Sequence, residues 1–245
     1  LCERCGHPLD QPLRQLFRLQ NVATRRRERI TSDEEERLRL GYELRSGVRF
    51  AEGRHGPQYQ TADLRRGDET LARLTYGRAA TLWRINLGWT RRKNRQQHGF
   101  ILDTERGYWA RNAALPDDDD QADPLSTATA RVIPYVEDRR NCLLVEPHMA
   151  LTASEMASLQ AALKRAIQVR YQLEDNELAT EILPNGDTPR LLLLYESAEG
   201  GAGVLRRLLD EADAFAQVAR RALELCHFDP STGQDRRRAE RSNED

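Results

Sequence analysis

The run LLLLYESAEGGAGVLRRLLDE, residues 191–211, ends an apolar stretch in Tyr195 and Glu196. It then sets Gly200, Gly201 and Gly203 directly before a helical pattern. A strand, a glycine turn and a helix N-terminus bring backbone amides together where the helix dipole favours an anion, so the chemistry suggested is phosphate cradling. The stretch lacks the GxxxxGK[ST] pattern, because no lysine follows to reach a phosphate and no serine or threonine follows to hold magnesium. It is not a GxGxxG fingerprint either, and Glu196 and Glu199 beside the turn would repel a phosphate. The expectation is a tight strand-to-helix turn that needs positive φ and close packing.

A second group of residues has metal chemistry. CERCG, residues 2–6, is a CxxC followed by glycine, a knuckle that turns the thiolates of Cys2 and Cys5 toward one tetrahedral zinc. A redox CxxC is the alternative, but that belongs inside a βαβ pattern and here the pair precedes a β-rich region. His7 is a possible further ligand, or a solvated neighbour. Cys226, in ALELCHFDP, ends the last helix beside His227, and Cys142 lies in a strand. Taken alone, both read as structural cysteines.

A third group suits nucleic acid. TRRRER, residues 24–29, contains Arg25, Arg26 and Arg27, and TRRKNR, residues 90–95, sets Arg91, Arg92 and Lys93 directly after Trp89. Arginine beside an exposed aromatic ring is the composition of a surface for single strands, where charge tracks phosphates and rings stack on bases. The competing reading is that RRR balances the nearby DEEE and that the tryptophans are core. Catalytic patterns are thin: no GxSxG, HExxH or paired DxD motif stands out, and nothing fixes the spacing of Glu137, Asp138, Glu146 and His148. No catalytic residue is assigned.

The chain that must position these groups has 245 residues and 39% hydrophobic content, enough for one large or two small domains with a core. Its net charge of −1 selects no partner by itself. The positive charge is almost all arginine, Lys93 and Lys164 being the only lysines. Arginine suits bidentate contacts to phosphate and carboxylate. No run approaches the roughly 18 apolar residues of a membrane span and no signal-peptide pattern opens the chain, so no membrane contact and a cytoplasmic location are expected. The start at Leu1, directly on one zinc knuckle, suggests a piece of a longer protein.

The pattern predicts an α+β chain, a β-rich N-terminal half followed by a mixed β/α C-terminal domain. Residues 13–22 alternate and suit a strand. Thr31 or Ser32 before DEEE caps a short helix over 33 to about 42, and GVRFAE returns to strand. Residues 69–90 alternate with a turn at Gly77, and 99–110 suit a strand pair bent at Gly107. The acidic, proline-containing stretch 115–130 reads as a linker or loop. Residues 130–147 read as two strands about a polar turn at 138–141, and 152–173, capped by Thr152 or Ser154, as the strongest helix. Two strands about the Pro184 and Pro189 turn follow, then helices near 203–211 and 213–226 and a mobile tail from 230. The implied domains are 1–8 (half a knuckle), 9–114, the linker 115–130, 131–229 and the tail.

Together, LLLYESAEGGAGVLRRLLDE followed by ALELCHF resembles the MrfA-like zinc-binding domain family, found at the C-termini of DEAD/DEAH-type helicases and in DrmB of the DISARM phage-defence systems. NVATRRRERITSDEEERLRLGYELRSGVRF, ATLWRINLGWTRRKN and GFILDTERGYWA are similar to longer members of the group. The resemblance implies a structural zinc, with Cys226 matching the first of four ligating cysteines; the other three are not found here, and Cys2 and Cys5 would be half of a further knuckle. It also implies that Tyr195, Glu196, Gly200, Gly201 and Gly203 are a fold signature. The expected function is an accessory module in phage defence or DNA repair that binds zinc and helps grip DNA, single-stranded by preference, or a helicase partner. The alternatives are the C-terminal part of an ATP-dependent helicase, or a protein-interaction scaffold.

Overall fold

The computed structural model describes residues 13–21, 41–54, 56–110, 125–184, 189–197 and 201–237. Its strands are β1 (Leu16–Arg18), β2 (Tyr42–Arg49), β3 (Glu52–Gly53), β4 (Gly56–Pro57), β5 (Gln60–Arg66), β6 (Glu69–Trp89), β7 (Phe100–Asp103) and β8 (Thr129–Pro147). Helix α1 (Ala153–Tyr171) follows, then β9 (Leu178–Leu183), β10 (Leu191–Glu196), α2 (Val204–Asp210) and α3 (Ala214–Leu225). The described chain is α+β, with strands dominating and these helices toward the C-terminus. The path of the main sheet is β2-β6-β8-β10-β9. None of these helices is long and apolar enough to cross a membrane.

The chain divides into two compact units. One comprises Leu1–Arg45 with Trp83–Glu137, and the other Ser46–Leu82 with Asp138–Asp245.

In the second unit β5 runs antiparallel to β6 with Ala62 opposite Leu74, and β10 lies antiparallel between β8 and β9 with Leu194 opposite Leu143 and Thr180. The run 191–194 does not alternate because both of its faces are covered. Leu192 and Leu194 join Leu74, Tyr76 and Leu143 against Met156, Leu163 and Ile167 of α1, Leu205 of α2 and Val218 of α3. Leu193 points the other way, into a cluster with Ala80, Leu82, Cys142 and Leu144. Helix α1 starts where its sequence says it should. Glu155 N–H donates to Thr152 Oγ1 at 3.2 Å while Thr152 N–H donates to Glu155 Oε2 at 2.8 Å, a reciprocal capping box.

In the first unit β7 is antiparallel to the start of β8, with Phe100 opposite Val132, and β1 is parallel to it, with Leu16 opposite Ile133. Leu87, Leu102, Val132 and Ile133 are buried there. Glu137 accepts the Trp83 indole N–H at 3.1 Å and pairs with Arg18 at 3.6 Å, so this carboxylate is structural.

Several sequence expectations change. Gly77 is not a turn, since β6 runs straight through it; a Cβ there would lie 2.3 Å from the Phe50 ring, so the glycine serves close approach. Asp138 to Asn141 are likewise mid-strand in β8, where pairing on neighbouring strands overrides local polarity. Tyr42 opens β2 instead of ending a helix, and 33–40 lie outside the described residues. The strand expected over 13–22 narrows to Leu16–Arg18. Residues 230–237, expected to lack structure, continue a hydrogen-bonded turn in which Arg236 N–H donates to His227 O at 2.8 Å.

Candidate nucleic-acid interface

In the first unit, β6 ends at Trp89 and the chain turns through residues 90–98 before β7 begins at Phe100. The Trp89 ring stacks on Tyr42 at 4.4 Å between centroids and meets Phe100 edge-on at 6.0 Å; Phe100 in turn meets Trp109 at 6.1 Å. Pairs of this geometry contribute about 0.5–1.5 kcal/mol each beyond burial, so the four rings hold one another in place. They are not a core, however. Tyr42 is 43% and Trp109 42% exposed, and Tyr108 next to Trp109 is 57% exposed. Burial of the rest of Tyr42 holds its phenol above its ordinary pKa.

Directly after Trp89 the turn carries Arg91, Lys93 and Arg95, all exposed. Arg92 differs, since its side chain is 11% exposed and paired with Glu43 at 2.8 Å. Arg92 was expected among the nucleic-acid contacts; its guanidinium is turned inward, because backbone carbonyls and Glu43 offer it better-placed acceptors than solvent does. Trp89, Arg91 and Lys93 are thus brought together at one place, while Arg25, Arg26 and Arg27 lie outside the described residues. The sequence reading missed Tyr42, Phe100, Tyr108, Trp109 and Arg95. Its available signal was GYWA, two large rings in a polar turn with no apolar periodicity to bury them.

The end of the Trp109 turn is fixed by Asp103, which is buried and accepts four hydrogen bonds. They come from Glu105 N–H and Arg106 N–H at 3.0 Å each, Ser126 N–H at 2.7 Å and Ser126 Oγ–H at 2.9 Å. These donors, the Ser126 amide foremost, hold its carboxyl at a pKa of about 2 against the opposing effect of burial.

In the second unit the glycine turn contains its own anion. Glu196 is 1% exposed; one oxygen accepts Leu205 N–H in the first turn of α2 at 3.2 Å, and the other accepts Asn141 Nδ2–H at 3.1 Å. Asn141 Oδ1 in turn accepts Ala79 N–H at 3.1 Å, so a polar chain runs from β6 through β8 and β10 to α2. Gly201 has φ +69°, and a Cβ on it would fall 1.8 Å from the Glu196 carboxylate. Gly203, with φ +73°, is the N-cap of α2. The helix dipole that would attract phosphate is thus occupied by a side chain, as the sequence expectation of a structural turn requires. Tyr195 donates its phenol to Glu181 at 3.2 Å, and Gly200 lies outside the described residues.

Cys226 is a half-buried free thiol at the C-cap of α3, its N–H bonded to Ala222 O at 3.0 Å. Among the described residues no group of three or more histidine, cysteine, aspartate or glutamate side chains is arranged to hold a metal. One thiol with His227 beside it does not make the four ligands of a structural zinc, so the described residues do not complete such a site. Cys2 and Cys5 lie outside them. The turn after Cys226 is closed by Asp229 instead, which accepts Ser231 N–H at 2.8 Å, Thr232 N–H at 3.2 Å, the Ser231 hydroxyl, and Arg236 at 3.3 Å. The Ser231 hydroxyl and these other donors lower the pKa of Asp229 strongly.

Fold and site together define a strand-and-helix arrangement in which a buried glutamate meets the first turn of α2, in a chain that also presents a basic, aromatic surface. Residues 159–232, under a third of the chain, match the family model of the MrfA Zn-binding domain, so this stretch is similar to that domain. Among solved structures, the crystal structure of the DUF1998 helicase MrfA bound to DNA is similar at 12% identity and a TM-score of 0.42, over 80% of this chain and 23% of that one. The chain therefore spans about a quarter of that helicase's length. No curated protein matches it.

Proposed function

We propose that this chain is a non-catalytic accessory module of a helicase-associated, nucleic-acid-processing protein, and that its first unit binds single-stranded DNA. The observation that carries this reading is the continuity of the basic turn with the aromatic row. Arg91, Lys93 and Arg95 follow Trp89 directly, and the half-exposed rings of Tyr42 and Trp109 lie within two ring contacts of it. Charges that neutralise phosphates next to rings that stack on bases suit a flexible strand, whose bases are free to turn outward, better than a duplex. Arg25, Arg26 and Arg27 are assigned to the same task. The match to the MrfA Zn-binding domain supports a structural zinc, for which Cys226 and the Cys2–Cys5 pair are the candidate thiolates, and helicase association follows from the family resemblance of the sequence. Phage defence, as in DISARM, or DNA repair in the cytoplasm is the setting this reading favours.

The test is fluorescence anisotropy with a labelled oligothymidylate across a salt series. Phosphate contacts by Arg91, Lys93 and Arg95 alone give a slope of log K against log salt of about −2 for a single strand, and a contact from each of Arg25, Arg26 and Arg27 as well would steepen it to about −4. Trp109→Ala is expected to weaken binding by about 1–3 kcal/mol, the worth of one stacked base. Binding indifferent to salt, or none at low salt by a folded protein, overturns the proposal.

A further inference from the structure

We infer that Arg92 is a positioning residue for this surface, holding the turn that presents Arg91, Lys93 and Arg95 without itself contacting phosphate; the inference rests on the nucleic-acid reading above. One guanidinium nitrogen donates to Trp89 O at 2.9 Å and pairs with Glu43 at 2.8 Å. The other donates to Arg95 O at 2.6 Å and meets His98 Nδ1 at 3.1 Å. The remaining nitrogen, Nε, is buried without a partner, so no donor of this side chain faces solvent in search of an anion. These contacts fall on the residue that carries the stacked ring, on β2, and on both of the later positions of the turn. A single planar group thereby sets the spacing of the exposed cations relative to Trp89. A lysine has the charge but not the fork, and one ammonium cannot reach acceptors on both sides of the turn.

That difference makes the role separable from a phosphate contact. In the anisotropy assay with labelled oligothymidylate, Arg165→Lys, an exposed arginine of α1 in the second unit, is the control for the exchange itself and should bind like the wild type. Arg92→Lys should lose about tenfold, as much as Arg92→Gln, the scale of one charge-assisted hydrogen bond. Thermal melts and the Trp89 near-ultraviolet dichroism separate this from general unfolding: a folded Arg92→Lys with an altered tryptophan signal and weakened binding is the expected result. If Arg92→Lys binds normally while Arg92→Gln loses affinity and about one unit of salt slope, Arg92 is a phosphate contact and the inference is wrong. Should Arg92→Lys fail to fold, His98→Ala decides. It loosens the brace and keeps the charge, so weaker binding supports positioning, whereas unchanged or tighter binding refutes it. Absence of binding by the wild type would instead overturn the functional reading itself.

Discussion

Glu196 shows how a single residue converts an apparent ligand site into structure. A carboxylate as fully buried as that of Glu196 persists only because N–H donors from Leu205 and Asn141 replace its lost water. Glu196→Ala removes both acceptors and leaves a void, and should lower stability by about 1–3 kcal/mol or more. Glu196→Gln keeps the shape but turns an amide nitrogen toward one of two donors, so its loss should be smaller. Gly201→Ala combines a left-handed backbone with a clash against the same carboxylate, and its cost should match that of the alanine change at 196. Urea midpoints at constant m-value check the order; a Gly201→Ala protein as stable as the wild type would remove Glu196 from the turn. The sequence did place Glu196 and the glycines together and favoured a structural turn over an anion site. Asn141 was not legible, since its partner is 55 residues away and side-chain pairing across strands leaves no local pattern.

At the scale of elements, the turn directly after β7 and the lead into β8 at Ser126 depend on Asp103 as a capping box depends on its threonine. Its folded pKa of about 2 lies below the ordinary carboxylate value of 3.8. The stabilisation is therefore complete above about pH 4 and is lost as pH falls toward 2. Acid titration followed by tryptophan fluorescence should show unfolding steepening in that window. Asp103→Asn should flatten the dependence and lower stability at neutral pH; an unchanged acid profile would mean that Asp103 is not the group that matters. Elements with end signals were readable: α1 announces itself through Thr152 and Glu155, and α2 and α3 fall within a residue or two of expectation. The long strands β6 and β8 were not, because Gly77 and the polar run at 138–141 mimic turns. What overrules them is hydrogen bonding to strands distant in sequence.

For the whole molecule, the boundaries of the MrfA-like domain are not the boundaries of a folding unit. The core around α1 draws Ala72, Leu74 and Tyr76 from β6, Leu143 and Val145 from β8, and Met156, all outside 159–232. A fragment of residues 159–232 would leave β10 without β8 and Glu196 without Asn141. It should give a broad, non-cooperative melt by far-ultraviolet dichroism where the full chain gives a sigmoid. A sharp transition in the fragment would show that the helical part is self-sufficient.

The interleaving of the two units also imposes an order on biosynthesis. Residues 69–82 leave the ribosome before residues 83–137, and only then does the second half of β8 emerge. At about 5–20 residues per second, nascent β6 waits for several seconds with Leu74, Tyr76 and Leu82 lacking their partners from β8. An exposed apolar strand edge of that lifetime is a substrate for chaperones, and in their absence a seed for aggregation. Yield in a cell-free translation system should therefore respond to holdase addition more strongly than the stability of the finished protein would suggest.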